Sequence, residues 1–277
     1  MKREKSEALA KAVYSKGVLY EWKRLVKDPF HRLEFETTLH FLTKHLPRKG
    51  LILDAGGGPG RYSIELAKRG YDVVLFDITA ENLAFAQKEI ERQGVSKKVK
   101  YIVQGSIVDL SNFKSNTFDA VLCLGGALSH VSTPQNRARA VSELIRVARK
   151  GAPIAVSVMG RLGVLMNAIR YWPEELRVTS NTERILRKGD DHMWHHKYYA
   201  HFFYAKELKE LFARKKLKLL DLTGLEGLST PYKEEANTLF KKDKAGWKNW
   251  IKVHYQVCTH PAVVDTSAHM LIITRKI

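Results

Sequence analysis

The segment LILDAGGGPGRYS (51–63) carries the densest chemistry in this 277-residue chain. Glycines at 56, 58 and 60 run G-x-G-x-G, and the carboxylate of Asp54 stands two residues before the first of them. Such glycines let a backbone turn tightly and approach a ligand closely. The dinucleotide fingerprint is spaced differently, G-x-G-x-x-G, and Asp54 would repel a pyrophosphate. The loop suits a ligand with cationic groups instead. His130 follows Gly125-Gly126 by four residues, in a loop at the carboxyl edge of a predicted sheet, where α/β proteins bind ligands. There it either accepts a proton, holds a substrate, or caps and packs; spacing alone leaves these open. Cys123 lies inside an apolar strand and reads as a small core residue. Two cysteines in all exclude a disulfide framework and a thiolate zinc site. The run Asp190-Asp191-His192-Met193-Trp194-His195-His196 holds metal-ligating types. It lacks an assured helix and a defined third ligand, so it reads as a polar, aromatic cap segment and no metal is expected.

The elements that must position these residues alternate. Phe35, Leu39, Leu42 and Leu46 form one stripe of an N-terminal helix that ends at Pro47 and Gly50. Short apolar strands are expected at 51–53, 72–76, 100–103, 120–124 and 154–158, with helices between them. Thr133-Pro134 is an N-cap followed by an N1 proline, and Thr79 is a second N-cap. The rhythm breaks after residue 160 and resumes with a helix over 206–214, a strand at 217–222 and a last strand at 270–274. This β-α alternation predicts a parallel sheet covered on both faces. One domain over 1–277 accounts for it, with a helical cap at 1–50 and insertions at 161–196 and 226–262.

The motifs, in this order, resemble the class I S-adenosylmethionine-dependent methyltransferases, whose first motif is an acid followed by G-x-G-x-G. The resemblance covers roughly 33–160 and 197–277 and implies a Rossmann-like, seven-stranded, mostly parallel α/β sheet with a helical N-terminal region and helical insertions. It implies S-adenosyl-L-methionine as cofactor, whose ammonium and sulfonium suit Asp54. Gly56, Gly58 and Gly60 would form its loop, and Arg61 would reach its methionine carboxylate. Asp77 would accept both ribose hydroxyls, with Ile78 against the adenine. Ser106 and Ile107 stand where the family usually reads G-D-A, so the adenine amino contact falls to Ser106, to water or to another residue. Leu124 ends the fourth strand, and its carbonyl could orient an acceptor amine. The whole-chain pattern is also similar to an archaeal branch linked to N4-methylation of ribosomal-RNA cytidine.

Charge points to the partner. The chain holds 47 basic and 29 acidic residues, net +18, with 12 basic against 6 acidic in 1–50 and 21 against 13 in 151–277. A basic excess of this size favours a polyanion such as RNA. KKDKAGWKNWIK (241–252) interleaves lysines with Trp247 and Trp250. With Lys248, these would bind phosphates and stack an unpaired base, or else form an amphipathic surface helix. The expected activity is methylation of an RNA base, with N4 of a ribosomal cytidine as target; the alternative is a small-molecule N- or O-methyltransferase. A charged N-terminus and no run of about 20 apolar residues point to a cytoplasmic protein without a membrane partner. No protein partner is inferable.

Overall fold

In the computed structural model, which describes residues 3–192, 199–213 and 216–277, three helices precede the sheet: α1 (Arg3–Lys16), α2 (Val18–Arg24) and α3 (Pro29–His45). Asp28 caps α3 by accepting from the His31 amide, and Pro29 supplies the preset first turn. The alternating unit follows as β1 (Leu51–Ala55), α4 (Arg61–Lys68), β2 (Asp72–Asp77), α5 (Ala80–Arg92), β3 (Val99–Gln104), β4 (Ala120–Cys123), α6 (Pro134–Val147) and β5 (Pro153–Met159). Thr133 caps α6 as expected, although its own backbone stands at φ 67°, a costly conformation for a β-branched residue. Residues 161–196 contain α7 (Arg161–Tyr171) and α8 (Thr179–Lys188). Then come α9 (Ala205–Ala213), β6 (Leu217–Gly224), α10 (Lys233–Lys242), α11 (Lys244–Val257), α12 (Pro261–Thr266) and β7 (His269–Lys276).

The sheet runs β3-β2-β1-β4-β5-β7-β6. Strands β1 to β5 pair in parallel, and β7 is antiparallel to both neighbours. The order reverses between β1 and β4, so a crevice opens at their carboxyl ends. Strands β1, β2, β4 and β5 are almost wholly buried, as a sheet covered on both faces requires. One apolar core joins Leu53, Phe76, Val121 and Cys123 to α6 and α9. The other joins Ile52, Leu75 and Leu122 to α3, α4 and α5. Cys123 is fully buried in the first core, which pushes its thiol up to about 12. That leaves no thiolate for nucleophilic chemistry. Among the described residues no helix is long and apolar enough to cross a membrane.

The N-terminal cap is bolted to the sheet by buried charge. Arg24 at the end of α2 donates to both carboxylate oxygens of Glu34 on α3, at 2.6 and 3.2 Å. His269, at the start of β7, donates to Glu226 at 2.6 Å and lies 3.7 Å from Glu34. Burial alone would lower the His269 pKa, but Glu34 and Glu226 overrule it and hold the imidazole at about 9. Glu34, Glu226 and His269 come within 4.8 Å of one another, a ligand-like spacing. A protonated imidazole and a carboxylate engaged by a guanidinium make this trio part of an ion-pair network, however.

Removing one partner from a buried pair strands the other, so Glu34→Gln should cost about 3 kcal/mol in denaturant unfolding. The His269 contribution, with a folded-state pKa raised above that of the unfolded chain, is complete below about pH 6.5 and is lost as pH rises through about 9. Wild-type stability should fall across that window, and the fall should be much shallower in Glu34→Gln.

Candidate cofactor and acceptor site

A partly open cavity of about 150 Å³ sits over the crevice. Its floor is the loop after β1. Gly56 and Gly57 donate their amides to the Phe76 carbonyl at 2.7 and 3.1 Å, and Gly58 donates to Asp77 Oδ2 at 2.9 Å. Gly56 stands at φ 78°, and a Cβ there would meet the Ala127 Cβ at 2.6 Å. Only glycine fits such a place. Gly60, at φ 84°, caps α4 and packs against Ala86 rather than lining the cavity.

Two carboxyls face this floor. Asp77 Oδ1 accepts from the Thr79 amide at 2.8 Å while Oδ2 accepts from Gly58, and the Asn82 side chain supports the same carboxylate, which faces the cavity as an acceptor for ligand hydroxyls. Burial raises its pKa, and those amide bonds pull it back only in part. Asp54 is fully buried; Ser63 donates to its Oδ2 at 2.7 Å, and its Oδ1 has no partner. Burial lifts this carboxyl to about 6. A lone buried acceptor in a cavity wall is what a cationic ligand group would satisfy, so the site fits S-adenosylmethionine.

Ile78, Ser106, Ile107 and Leu124 also line the cavity. Arg61 lines it too, but its guanidinium is spent on the Trp22 carbonyl and stacks on the Trp22 ring at 3.9 Å. Arg24 is the second arginine in the lining, and sequence reasoning missed it. Its Nη2 would lie 3.4 Å from a Cβ placed on Gly125, at the start of the loop after β4. Only a partner ten residues on, Glu34, marks it, and nothing local says that α2 folds back over the sheet. Glu21, also missed, donates charge to the same wall; burial raises its pKa.

His130 lies at the end of a short 3-10 turn after β4. Its Nδ1 donates to the Tyr199 carbonyl at 3.0 Å, so Nε2 carries the lone pair and accepts from the Tyr14 hydroxyl at 2.7 Å. Burial drives its pKa down to about 4, the neighbouring Arg24 adds to this, and the Tyr199 bond only partly opposes it. The ring is therefore a neutral base at physiological pH. Tyr199 is itself held by Asp190 at 2.5 Å and Arg137 at 2.8 Å. Burial would raise the Asp190 pKa, but hydrogen bonds from His201 and Tyr199 outweigh it and keep the carboxylate at about 2. Most of the Asp190–His196 run lies outside the described residues, and its first two aspartates serve this network and α8.

Helix α1 roofs the cavity. Ser6, Glu7, Ala10 and Tyr14 line it along one helical face. Of the aromatic residues on α1 and α2, Tyr14 reaches the site, Tyr20 is exposed and Trp22 packs on Arg61 and Phe85. Trp247, Trp250 and Lys248 sit on α11, outside the cavity lining. Trp247 packs with Phe30, Leu33 and Ala236, and the Trp250 indole donates to Ser229 at 2.8 Å. Lys241, Lys242, Lys248 and Lys252 are exposed on the outer side.

Comparison with known proteins agrees with this geometry. Residues 52–151 match a family described as a methyltransferase domain. The chain is 30% identical over 121 residues to the tRNA 5-carboxymethoxyuridine methyltransferase of Escherichia coli K12, a match covering 44% of each protein. The chain thus spans less than half the length of that relative. It is 28% identical over 211 residues to a ubiquinone biosynthesis O-methyltransferase of Xanthomonas axonopodis, covering 76% of this chain and 79% of that enzyme. Among solved structures, the 1,6-didemethyltoxoflavin-N1-methyltransferase of Burkholderia thailandensis, with bound S-adenosylhomocysteine, superposes with a TM-score of 0.59. That match is 16% identical and covers 100% of this chain and 91% of the other. The fold is that of the class I methyltransferases.

Calorimetry with S-adenosylhomocysteine tests both carboxyls. Asp77→Ala should weaken binding about 100-fold, since it removes acceptors from two hydroxyls; unchanged affinity would move the ribose elsewhere. As pH falls below about 6, protonation of Asp54 should weaken binding toward tenfold per unit. In the free protein, the His130 ring should titrate near pH 4 by NMR, with no inflection at 6.5.

Proposed function

We propose that the protein is an S-adenosylmethionine-dependent methyltransferase acting on a base in RNA, with the exocyclic N4 amine of a ribosomal-RNA cytidine as target. When bound, the cofactor supplies an electrophilic methyl group on a cationic sulfur. Asp77, fixed by the Gly58 and Thr79 amides, would accept from the ligand's hydroxyls, and the unpartnered oxygen of Asp54 would answer its positive charge. His130, neutral, accepts from the Tyr14 hydroxyl on Nε2 and so aims the lone pairs of the Tyr14 oxygen at the acceptor amine in the cavity. An exocyclic amine becomes acidic once alkylated, so a base this weak suffices to remove its proton. The observation that carries the RNA reading is the net charge of +18, with exposed lysines on α10 and α11 supplying phosphate contacts.

A small-molecule N- or O-methyltransferase is the second reading. The roof that α1 lays over the cavity favours it, because a partly covered cavity suits a small acceptor better than a polynucleotide. So does the packing of Trp247 and Trp250, which withdraws them from base stacking.

Purified protein, radiolabelled S-adenosylmethionine and unmodified total RNA separate the two, beside an RNase-treated sample and a small-molecule extract. Nuclease-sensitive label in large RNA is expected, with N4-methylcytidine released on digestion. Label confined to the metabolite fraction would establish the second reading. His130→Ala should lower turnover about 100-fold with S-adenosylhomocysteine affinity intact; unchanged turnover would reduce His130 to a packing role.

A further inference from the structure

Helix α1 is fastened largely by polar contacts. Among its described side chains only Ser6 is buried, so hydrophobic burial contributes little to its docking. It is held instead by polar side chains that meet cavity residues. Ser6 Oγ lies 2.7 Å from Ser132 Oγ, Ser106 donates to Glu7 Oε1 at 2.7 Å, and Tyr14 donates to His130. The middle contact stands at one end of the cavity. Asp77 closes β2, Ile78 follows it, and the loop after β3 adds Ser106 and Ile107 to the same wall. With the sugar hydroxyls on Asp77, Ile78, Ile107 and Ser106 are the lining residues that would hold the attached purine. A purine carrying an exocyclic amine ends in two N–H donors, which need acceptors once they leave water. Ser106 Oγ already donates to Glu7 and accepts from the Val108 amide, whereas a carboxylate only accepts, at two oxygens, and its charge strengthens each bond.

We propose that Glu7 is the residue that reads the exocyclic amino group of the cofactor's adenine, and that α1 thereby closes over the cavity when the cofactor is present. This rests on the cofactor reading above. The acceptor is brought by a helix nearly a hundred residues away in sequence from the loop it completes. Closing also sets Tyr14 on the Nε2 of His130, so the helix that recognises the cofactor places a hydroxyl at the acceptor side of the same cavity.

Calorimetry on the full chain tests this with S-adenosylhomocysteine and its 6-deamino analogue, which carries hydrogen in place of the amino group. Wild type should prefer the amino form by about 10- to 100-fold, the range for a hydrogen bond to a charged acceptor. In Glu7→Ala the two ligands should bind within about threefold of each other, the loss falling on the amino form. Glu7→Gln keeps an acceptor oxygen and should restore part of the preference, which a merely unfolded α1 would not allow. A Glu7→Ala protein with wild-type discrimination, or a wild type that does not discriminate, would overturn the assignment and leave the cofactor reading standing. A wild type that binds neither ligand would overturn both.

Discussion

Three consecutive backbone amides, those of Gly56, Gly57 and Gly58, must find acceptors at the bottom of a cavity. The tip of β2 provides them, through the Phe76 carbonyl and the Asp77 carboxylate. This tie fixes the floor, because an unpaired buried amide would cost more than most single contacts supply. It also fixes Asp77, which has no freedom to swing once it accepts from Gly58 and Thr79. The parallel order of β2, β1 and β4 brings that tip beside the β1 loop and opposite the β4 loop that carries His130. Binding groups and the candidate acceptor base therefore face one another as a consequence of strand order, and side-chain choice only refines them.

Around that floor the walls are held with unequal strength. Helices α2 and α3 are joined to the segment after β6 and the start of β7 by Arg24, Glu34, Glu226 and His269, the two carboxylates buried and the two cations half-buried against them. Helix α1 is joined by hydrogen bonds between side chains that a ligand could replace. A wall built on paired buried charge stays shut, since opening it would strand ions. A roof built on hydroxyl contacts opens at small cost, because water substitutes for each of them. The difference divides the cap into a fixed part and a moving part without any appeal to flexibility.

Much of this was legible in the sequence. Local patterns determine the β-α alternation, the G-x-G-x-G turn, the Asp77 strand end and the Thr133-Pro134 cap, since each depends on a few neighbouring residues. Ser106 pointed to a missing acid but not to what stands in for it. Glu7, Glu21 and Arg24 were not legible, because they reach the cavity only through the path of α1 and α2 over the sheet. Arg61 illustrates the same limit: its position after the glycine loop suggests a ligand carboxylate, yet Trp22 from α2 claims its guanidinium. Trp247 and Trp250 look like a stacking platform when read beside their lysines, but helical periodicity turns both indoles toward α3 and the 3-10 turn at 227–229.

That placement changes what the basic surface can do. Exposed lysines on α10 and α11 offer phosphates a sequence-independent attraction that weakens steeply with salt. They cannot choose a base, because contacts to the backbone position a nucleic acid without reading it. With the two indoles withdrawn into packing, any stacking or hydrogen-bond selection of an acceptor has to come from the cavity, whose polar lining includes Tyr14, Glu21, Arg24, His130, Ser132 and Asn136. Affinity and selectivity would then reside on different elements, the first on the α10–α11 face and the second under α1. A polynucleotide would have to deliver a flipped nucleotide beneath the roof, and the hydroxyl contacts of α1 are the ones weak enough to let it in.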